Sequence, residues 1–188
     1  MSFTPNATQS WRIGYQAALN RVRSQLTHAP ENAPIRLAKK TSNLFRDRAA
    51  NQAAGLDVSS FGSVFEVDPV NRTAEVGGMT AYEDLVAATL PYGLMPLCVP
   101  QLRTITRGGA VTGLGIESAS FRNGTPHESV LEMDILTGTG EVITVSGQKN
   151  DPHRDLFFTF PNSYGSLGYA LRLKIELEPT KPFVHISH

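Results

Sequence analysis

The sequence predicts an α+β fold, and three observations lead to this prediction. Residues 11–26 carry apolar side chains at helical spacing, as expected for an amphipathic helix. The rest of the first half alternates helical and strand patterns. The second half consists mainly of alternating strand patterns joined by short turns, which is typical of antiparallel sheets.

The first half is predicted to hold two helices and several short strands. Ser10 is positioned to cap the first helix. Thr80 and Glu83 form a capping-box pattern that predicts a second helix, which continues to Leu90. Runs of β-branched and other apolar residues predict strands at 35–38, 56–58, 64–67 and 73–76.

The second half contains the clearest strand patterns of the chain. Strands are predicted at 130–136 and 141–145, joined by a tight turn at 137–140, and residues 155–158 are expected to form one or two helical turns. From Tyr169 to Leu177 the odd positions are apolar, while most even positions are charged. This alternation predicts a strand with one face in the core and one in water.

The composition gives no electrostatic reason to expect nucleic acid or an anionic membrane as a partner. Lys plus Arg equals Asp plus Glu, at 17 each in 188 residues. Cys98 lies among apolar residues, which favours a buried, inert thiol and a reducing, cytoplasmic location. The sequence has no signal-peptide pattern, no apolar stretch of membrane-spanning length and no histidine spacing typical of a metal site.

The most informative segment is rich in glycine. Gly108, Gly109, Gly113 and Gly115 lie in an apolar run that also contains threonines, and Gly124 follows. Backbone free of side chains, with hydroxyl groups nearby, suits an extended polar ligand such as a pyrophosphate. The alternative is an irregular loop between two elements. The spacing matches neither the Rossmann nor the Walker pattern, so a nucleotide here would be bound by another architecture.

A second candidate feature is the pair His127 and Glu128. A histidine beside a carboxylate can serve in acid–base chemistry, because imidazole titrates near neutral pH. The alternative interpretation is a loop pair whose polar atoms are satisfied by the backbone.

Several segments together resemble the FAD-binding domain of the p-cresol methylhydroxylase/vanillyl-alcohol oxidase (PCMH-type) superfamily, with the strongest likeness to the Δ24-sterol reductase branch. The residues that carry the resemblance are 100–110, 112–120, 155–158, 165–169 and 175–179. The likeness extends over residues 30–183. It implies a fold in which FAD lies between two α/β lobes, one with a small mixed sheet and one with a larger, mainly antiparallel sheet.

The resemblance also implies a division of the chain. Residues 1–30 would form an N-terminal helix, 31–93 the first lobe, 94–183 the second lobe, and 184–188 the start of a substrate domain that this chain lacks. We therefore expect a truncated part of a larger flavoenzyme, with a homodimer as a further expectation.

The residues that the resemblance places against FAD fall in two main segments. The turn 38–46 would bind the pyrophosphate, and the glycine segment would lie near the phosphates, the ribityl chain and the flavin edge. Arg107 would either approach phosphate or lie on the surface. The expected contacts are Ala38, Lys39, Lys40, Thr41, Ser42, Asn43, Gln101, Thr106, Gly108, Gly109, Gly113, Leu114, Gly115, Ile116 and Ala170.

The function that the resemblance implies is that of an FAD-dependent oxidoreductase acting on a CH–CH or CH–OH group of a sterol-like or lipid-linked substrate. Residues 39–43 contain no histidine that could bond to the flavin, so we expect non-covalent FAD. The catalytic residues are not assigned at this level. The alternative is a flavin-binding or degenerate interaction domain without catalysis of its own.

Overall fold

The structure is a computed structural model that describes residues 7–29, 35–39 and 55–187. Within these ranges the helices are α1 Ala7–Thr27, α2 Tyr82–Thr89, α3 Arg107–Thr112, α4 Ser120–Asn123 and α5 Arg154–Thr159, with 3₁₀ turns at Ser59–Phe61, Leu90–Tyr92 and Pro126–Ser129. The strands are β1 Arg36–Leu37, β2 Gly55–Leu56, β3 Val64–Asp68, β4 Thr73–Gly77, β5 Leu94–Pro96, β6 Val130–Leu136, β7 Val142–Ser146 and β8 Tyr169–Pro179.

The strands form a small sheet and a large one. β1 and β2 pair in parallel, whereas the large sheet is antiparallel, with the order β3-β4-β8-β6-β7 and with β5 on the last residues of β8. The central position of β8 explains why its sequence pattern is so clear, since β8 pairs along both edges. The expected α+β architecture, with one small and one larger, mainly antiparallel sheet, is confirmed.

Hydrophobic residues pack on both faces of the large sheet. On one face, Met133, Leu173 and Ile175 belong to the main core, together with residues of α2 and α3. A second cluster contains residues of α1 together with Leu136 and Leu171 of the sheet. Neither α1 nor any other helix within the described ranges has the length and hydropathy needed to cross a bilayer.

The prediction that β8 has one buried face and one solvent-exposed face is only partly right. Arg172 occupies an even position, yet it is buried, because its part of the sheet lies beneath α1. The pairing of β8 with β6 skips Leu171, and this irregularity moves Leu171 into the cluster beneath α1. Glu176, further along the strand, is exposed as predicted.

The predicted capping box at Thr80 and Glu83 is wrong. α2 begins at Tyr82, and Ala81 is its N-cap residue. The Thr80 hydroxyl instead donates to the carbonyl oxygen of Ser63, at 2.9 Å. A tertiary hydrogen bond therefore uses the side chain that the local pattern assigns to the helix end.

The two strands at 64–68 and 73–77, grouped with the first lobe by sequence, join the large sheet. β4 pairs with β8 from Thr73 to Gly77, and β3 pairs with β4. The domain boundaries at residues 30, 93 and 183 remain predictions.

Candidate functional site

The glycine segment begins as a short helix rather than as an irregular loop. Thr106 is the N-cap residue of α3, and its Oγ1 accepts a hydrogen bond from the backbone N–H of Gly109 at 3.3 Å. A threonine at this position satisfies one of the unpaired N–H groups of the first turn. This cap and tertiary packing overcome the weak helix preference of the two glycines.

One side of α3 carries no side chain because the backbone of other elements lies directly against it. The N–H of Gly108 donates to the carbonyl oxygen of Gly78 at 2.8 Å. A Cβ atom on Gly108 would lie 2.8 Å from the same oxygen, and one on Gly78 would lie 1.8 Å from the carbonyl oxygen of Ala170. These positions bring α3, the end of β4 and the start of β8 into backbone contact.

An adjacent side of α3 also lacks side chains and is much less crowded. Among the described residues, a Cβ on Gly109 would meet only Thr106 Oγ1, at 2.9 Å, and one on Gly113 would meet only the Gly109 carbonyl oxygen, at 3.0 Å. The predicted cofactor glycines thus differ in role, because Gly108 is used inside the protein whereas Gly109 and Gly113 leave backbone accessible.

A cation from the predicted first lobe reaches this accessible side. Lys39 Nζ donates to Thr106 Oγ1 at 2.9 Å, which joins two residues 67 positions apart. Thr106 Oγ1 thereby accepts two hydrogen bonds, from Lys39 and Gly109. Within the described ranges its own hydroxyl proton has no acceptor, so it can donate to a ligand. An ammonium and a hydroxyl donor beside bare backbone suit an anionic group such as a diphosphate.

The C-terminal end of α3 is held by strained backbone. Leu114, Asn162 and Tyr164 all have positive φ angles, of 51°, 63° and 50°. The Tyr164 N–H donates to the Thr112 carbonyl oxygen at 3.0 Å. Non-glycine residues in this conformation cost free energy and are concentrated at functional sites. The strain lies at Leu114, one of the predicted cofactor residues, and at the loop that caps α3.

The remaining predicted contacts are distributed around this centre. Gln101 is exposed, and its N–H donates to Glu117 Oε2 at 3.3 Å. Ile116 is 76% exposed, while Ala170 is buried against Gly78. Gly115 and Ala38 are described too, and the Ala38 N–H donates to the Leu56 carbonyl oxygen at 2.8 Å. The predicted contacts Lys40, Thr41, Ser42 and Asn43 lie outside the described residues.

Arg107 takes neither of the two roles expected from the sequence. It is 1% exposed, and it donates from Nη1 to the Tyr82 hydroxyl at 2.6 Å. Its Nη2 donates to the Pro126 carbonyl oxygen and to Ser129 Oγ, each at 2.7 Å. The guanidinium therefore binds three elements together from inside the protein, rather than pointing at phosphate or lying on the surface.

A cavity of about 150 Å³ lies where β6 ends and β8 begins, next to the C-terminal part of α1. Its volume is below the range typical of cofactor pockets, so it could take at most part of such a ligand. None of the predicted cofactor residues that the structure describes lines it. The lining residues are Leu26, Ile35, Leu56, Leu136, Thr137, Gly138, Gly165, Ser166, Gly168 and Tyr169.

Comparison with known families identifies the ligand class of this fold. The model of the FAD binding domain family matches residues 20–146, more than half of the chain. The chain belongs to this family. This FAD-binding domain therefore contains the glycine segment, the Lys39–Thr106 contact and most of the large sheet within the matched region.

Similar proteins include dehydrogenases and reductases that are considerably longer. Cytokinin dehydrogenase 7 of Oryza sativa subsp. japonica is 36% identical over 105 residues, which is 56% of this chain and 20% of that protein. The Delta(24)-sterol reductase of Pisum sativum is 26% identical over 133 residues, or 71% of this chain and 23% of that one. The FAD-binding domain thus spans about a fifth of the length of these relatives.

A solved structure has the same fold. The 6-hydroxy-D-nicotine oxidase of Arthrobacter nicotinovorans superposes with a TM-score of 0.66 at 21% identity, over 84% of this chain and 34% of that one. The resemblance to PCMH-type flavoenzymes, with Δ24-sterol reductases among the relatives, is confirmed.

Two features of the site were missed from the sequence. Gly78 is needed for the contact with Ala170 and Gly108, and the pair of glycines that ends β4 was its only local signal. The second feature is a hydrogen-bonded group on the 3₁₀ turn, in which Thr125 joins His127 and Glu128. The sequence indicates the pair His127 and Glu128, but it does not indicate that Thr125 forms hydrogen bonds with both.

Proposed function

We propose that this chain is the non-covalent FAD-binding part of an oxidoreductase that acts on a CH–CH or CH–OH group of a sterol-like or lipid-linked substrate. The observation that carries the proposal is the convergence of Lys39 Nζ and the Thr106 hydroxyl beside the bare backbone of Gly109. The family match supplies the identity of the ligand, FAD.

Each of these residues has a distinct part in binding. The Lys39 ammonium would offset the negative charge of the diphosphate, and the Thr106 hydroxyl would donate to one of its oxygens. Gly109 and Gly113 would let the ligand approach the α3 backbone without a side chain between them. Bound FAD supplies hydride transfer, while the protein binds and orients it and tunes its electronics.

The substrate class is supported by the relatives. The likeness to a Delta(24)-sterol reductase covers 71% of the chain and favours a sterol-like alkene. The cytokinin dehydrogenase relatives favour the same general chemistry, removal or addition of hydrogen at carbon, on a different molecule. A sterol with a 24,25 double bond is therefore the first substrate to test.

The binding proposal is tested by reconstitution. We expect purified protein mixed with FAD to retain flavin absorbance after gel filtration, and to release all of the flavin when precipitated with acid. G109V should lose the flavin because its side chain would fill the bare surface, whereas G138V, on an open turn, should retain it. Retention of flavin by G109V, or flavin that stays in the acid pellet, would contradict the proposal.

The catalytic part has its own test. The reduced, FAD-loaded protein should be reoxidised anaerobically by the unsaturated sterol faster than by its saturated counterpart. Stable FAD binding with no substrate-dependent change in the spectrum would support the alternative, a flavin-binding domain without catalysis of its own.

A further inference from the structure

The loop that contains Tyr164 lies against the C-terminal end of α3 and binds its last carbonyl groups. The N–H of Asn162 donates to the Val111 carbonyl oxygen at 3.3 Å, and the N–H of Tyr164 donates to that of Thr112 at 3.0 Å. The Tyr164 hydroxyl donates to the carbonyl oxygen of Gly113 at 3.3 Å. The last carbonyl groups of a helix lack partners in a following turn, so groups from elsewhere satisfy them. Tyr164 is therefore in direct contact with Gly113, one of the predicted cofactor residues.

Tyr164 is held in place although much of it faces solvent. The residue is 63% exposed, yet its backbone and its hydroxyl each donate to a carbonyl group of α3. Its φ angle is 50°, a conformation that costs free energy for a residue with a side chain. Such strain persists only where the surrounding structure imposes it, and it is concentrated at functional sites. The structure thus keeps an accessible phenol ring in one position.

The backbone beside this ring is open. Among the described residues, a Cβ on Gly113 would meet only the carbonyl oxygen of Gly109, at 3.0 Å. No side chain of Gly113 therefore separates a ligand on this side of α3 from the ring of Tyr164.

The ring and the proposed diphosphate site lie at opposite ends of α3. Thr106, which accepts a hydrogen bond from Lys39 Nζ, is the N-cap residue, and Gly113 is the C-cap residue. From Thr106 to Gly113 a helix rises by about 10 Å. FAD carries a planar ring system on each side of its diphosphate, isoalloxazine beyond the ribityl chain and adenine beyond the ribose. A cofactor whose diphosphate lies beside Thr106 and that extends along α3 therefore places a ring near Tyr164.

We propose that Tyr164 binds FAD directly, by stacking its phenol ring on one of the two ring systems of the cofactor. This inference rests on the proposed function. Aromatic rings that stack with an offset stabilise a contact beyond the burial of their area. Because the hydroxyl stays bonded to Gly113, the phenol ring is oriented before the cofactor binds, and little side-chain entropy is lost on binding. Isoalloxazine and adenine share the planar aromatic face that Tyr164 recognises.

The test is a calorimetric titration of wild type, Y164L, Y164F and Y92L with FAD, FMN and ADP. We expect Y164L to bind FAD about tenfold more weakly than wild type, because leucine has no aromatic face. Y164F keeps the ring and should bind FAD almost as tightly as wild type. Y92L is the matched control, because Tyr92 is exposed on the 3₁₀ turn Leu90–Tyr92, and it should bind like wild type. Urea unfolding of Y164L checks that its fold is intact.

The two shorter ligands identify the ring. FMN lacks the adenine half and ADP lacks the flavin half, so a loss that Y164L shows with FAD and FMN assigns isoalloxazine, and a loss with FAD and ADP assigns adenine. Equal FAD affinity for Y164L and wild type would overturn the inference. A loss by Y164F as large as that by Y164L would overturn it too, because the bond from the hydroxyl to Gly113 would then carry the effect. If wild type does not bind FAD, the proposed function fails, and this inference fails with it.

Chemical modification gives a second measurement that needs no variant. Tyr164 is 63% exposed and Tyr92 is 53% exposed, so tetranitromethane should nitrate both rings in the protein without FAD. Saturating FAD should protect Tyr164 and leave Tyr92 reactive, as located by mass spectrometry of peptides. Equal nitration of Tyr164 with and without bound FAD would also overturn the inference.

Discussion

Two buried arginines of this FAD-binding domain are partnered in opposite ways. Arg172, on β8, binds three carboxylates, since its guanidinium contacts Glu75, Glu132 and Asp134 at 2.5–2.8 Å. Arg107, on α3, binds a tyrosine hydroxyl, a carbonyl oxygen and a serine hydroxyl. No carboxylate within the described ranges forms an ion pair with Arg107, and its Nε has no hydrogen-bond partner.

The difference separates a structural ion cluster from an uncompensated charge beside the candidate site. A buried charge is costly unless it is paired, so Arg172 with its carboxylates is a self-contained cluster that ties β4, β6 and β8 together. The positive charge of Arg107 is not cancelled locally. It therefore acts on its surroundings: burial is the main cause of the lowered pKa of His127, and the charge of Arg107 lowers that pKa further. The first arginine is part of a structural ion cluster, and the second is a buried charge without a carboxylate partner among the described residues.

The largest expected effect is that of removing Arg172, the arginine that is paired with carboxylates. R172M leaves two nearly buried carboxylates without a counter-ion, and breaking such a cluster costs about 3–5 kcal/mol. Because Glu132 is more exposed than Glu75 and Asp134, we expect the lower part of that range. Urea unfolding at pH 7 measures the loss. A change below about 1 kcal/mol would show that the cluster does not stabilise the fold.

The Arg172 cluster also predicts how the free energy of unfolding depends on pH. Burial would raise the pKa of Asp134, but hydrogen bonds and the charge of Arg172 outweigh it and hold the pKa below the ordinary value of 3.8. The stabilisation is therefore fully present above that ordinary value, and it is lost as the pH falls through the lowered native pKa. Unfolding of wild type between pH 6 and 3 should show this loss, and D134N should show a smaller one. Identical slopes for the two proteins would exclude Asp134 as the source.

A smaller loss of stability is expected when Arg107, which has no ion-pair partner among the described residues, is replaced. R107M removes the hydrogen bonds to the Tyr82 hydroxyl, Pro126 and Ser129, at a cost of about 1–3 kcal/mol. It also removes a buried charge without a counter-ion, which offsets part of that cost. We expect a net loss of about 1 kcal/mol and a higher pKa for His127. R103M is the control on an exposed arginine, and a loss as large as that of R172M would contradict the distinction.

The smallest effect concerns a neutral member of the Arg172 cluster. The Tyr15 hydroxyl of α1 donates to Asp134 Oδ2 at 2.7 Å, and burial together with the charge of Asp134 raises the pKa of Tyr15. Y15F removes one hydrogen bond and should cost about 0.5–1.5 kcal/mol in urea unfolding. Y92F, on an exposed tyrosine, should cost almost nothing. Equal values for the two variants would show that the bond from α1 to the cluster has no net effect.

The elements that the sequence predicted well are those that depend on local pattern. The alternation in β6, β7 and β8 and the helical spacing in α1 follow from one face packing against the core. The helix at 107–112 was not predicted, because two glycines oppose it locally. It forms because Thr106 caps it and Gly78 accepts its backbone, and both effects depend on the folded structure.

The arginines show why partners are harder to predict than elements. The alternation of apolar and charged residues along β8 predicts that Arg172 lies on a solvent-exposed face. In the structure Arg172 is buried beneath α1, which lies more than 140 residues earlier in the chain. Arg107 has its partners 19–25 positions away along the chain. The expectation of close backbone approach is confirmed for Gly108, which lies against Gly78, and stays a prediction for Gly109 and Gly113. Which of them meets protein and which remains open is a property of the tertiary structure.

The most direct measurement is a titration of FAD into the protein, followed by flavin fluorescence, for wild type, K39M and K149M. Lys39 reaches the Thr106 hydroxyl beside the open glycines, whereas Lys149 is exposed on the turn that precedes α5. We expect saturable binding by wild type and K149M, and binding by K39M that is weaker by about tenfold, or about 1.4 kcal/mol. Equal affinity for all three proteins, or no binding by wild type, would show that FAD is not held at α3.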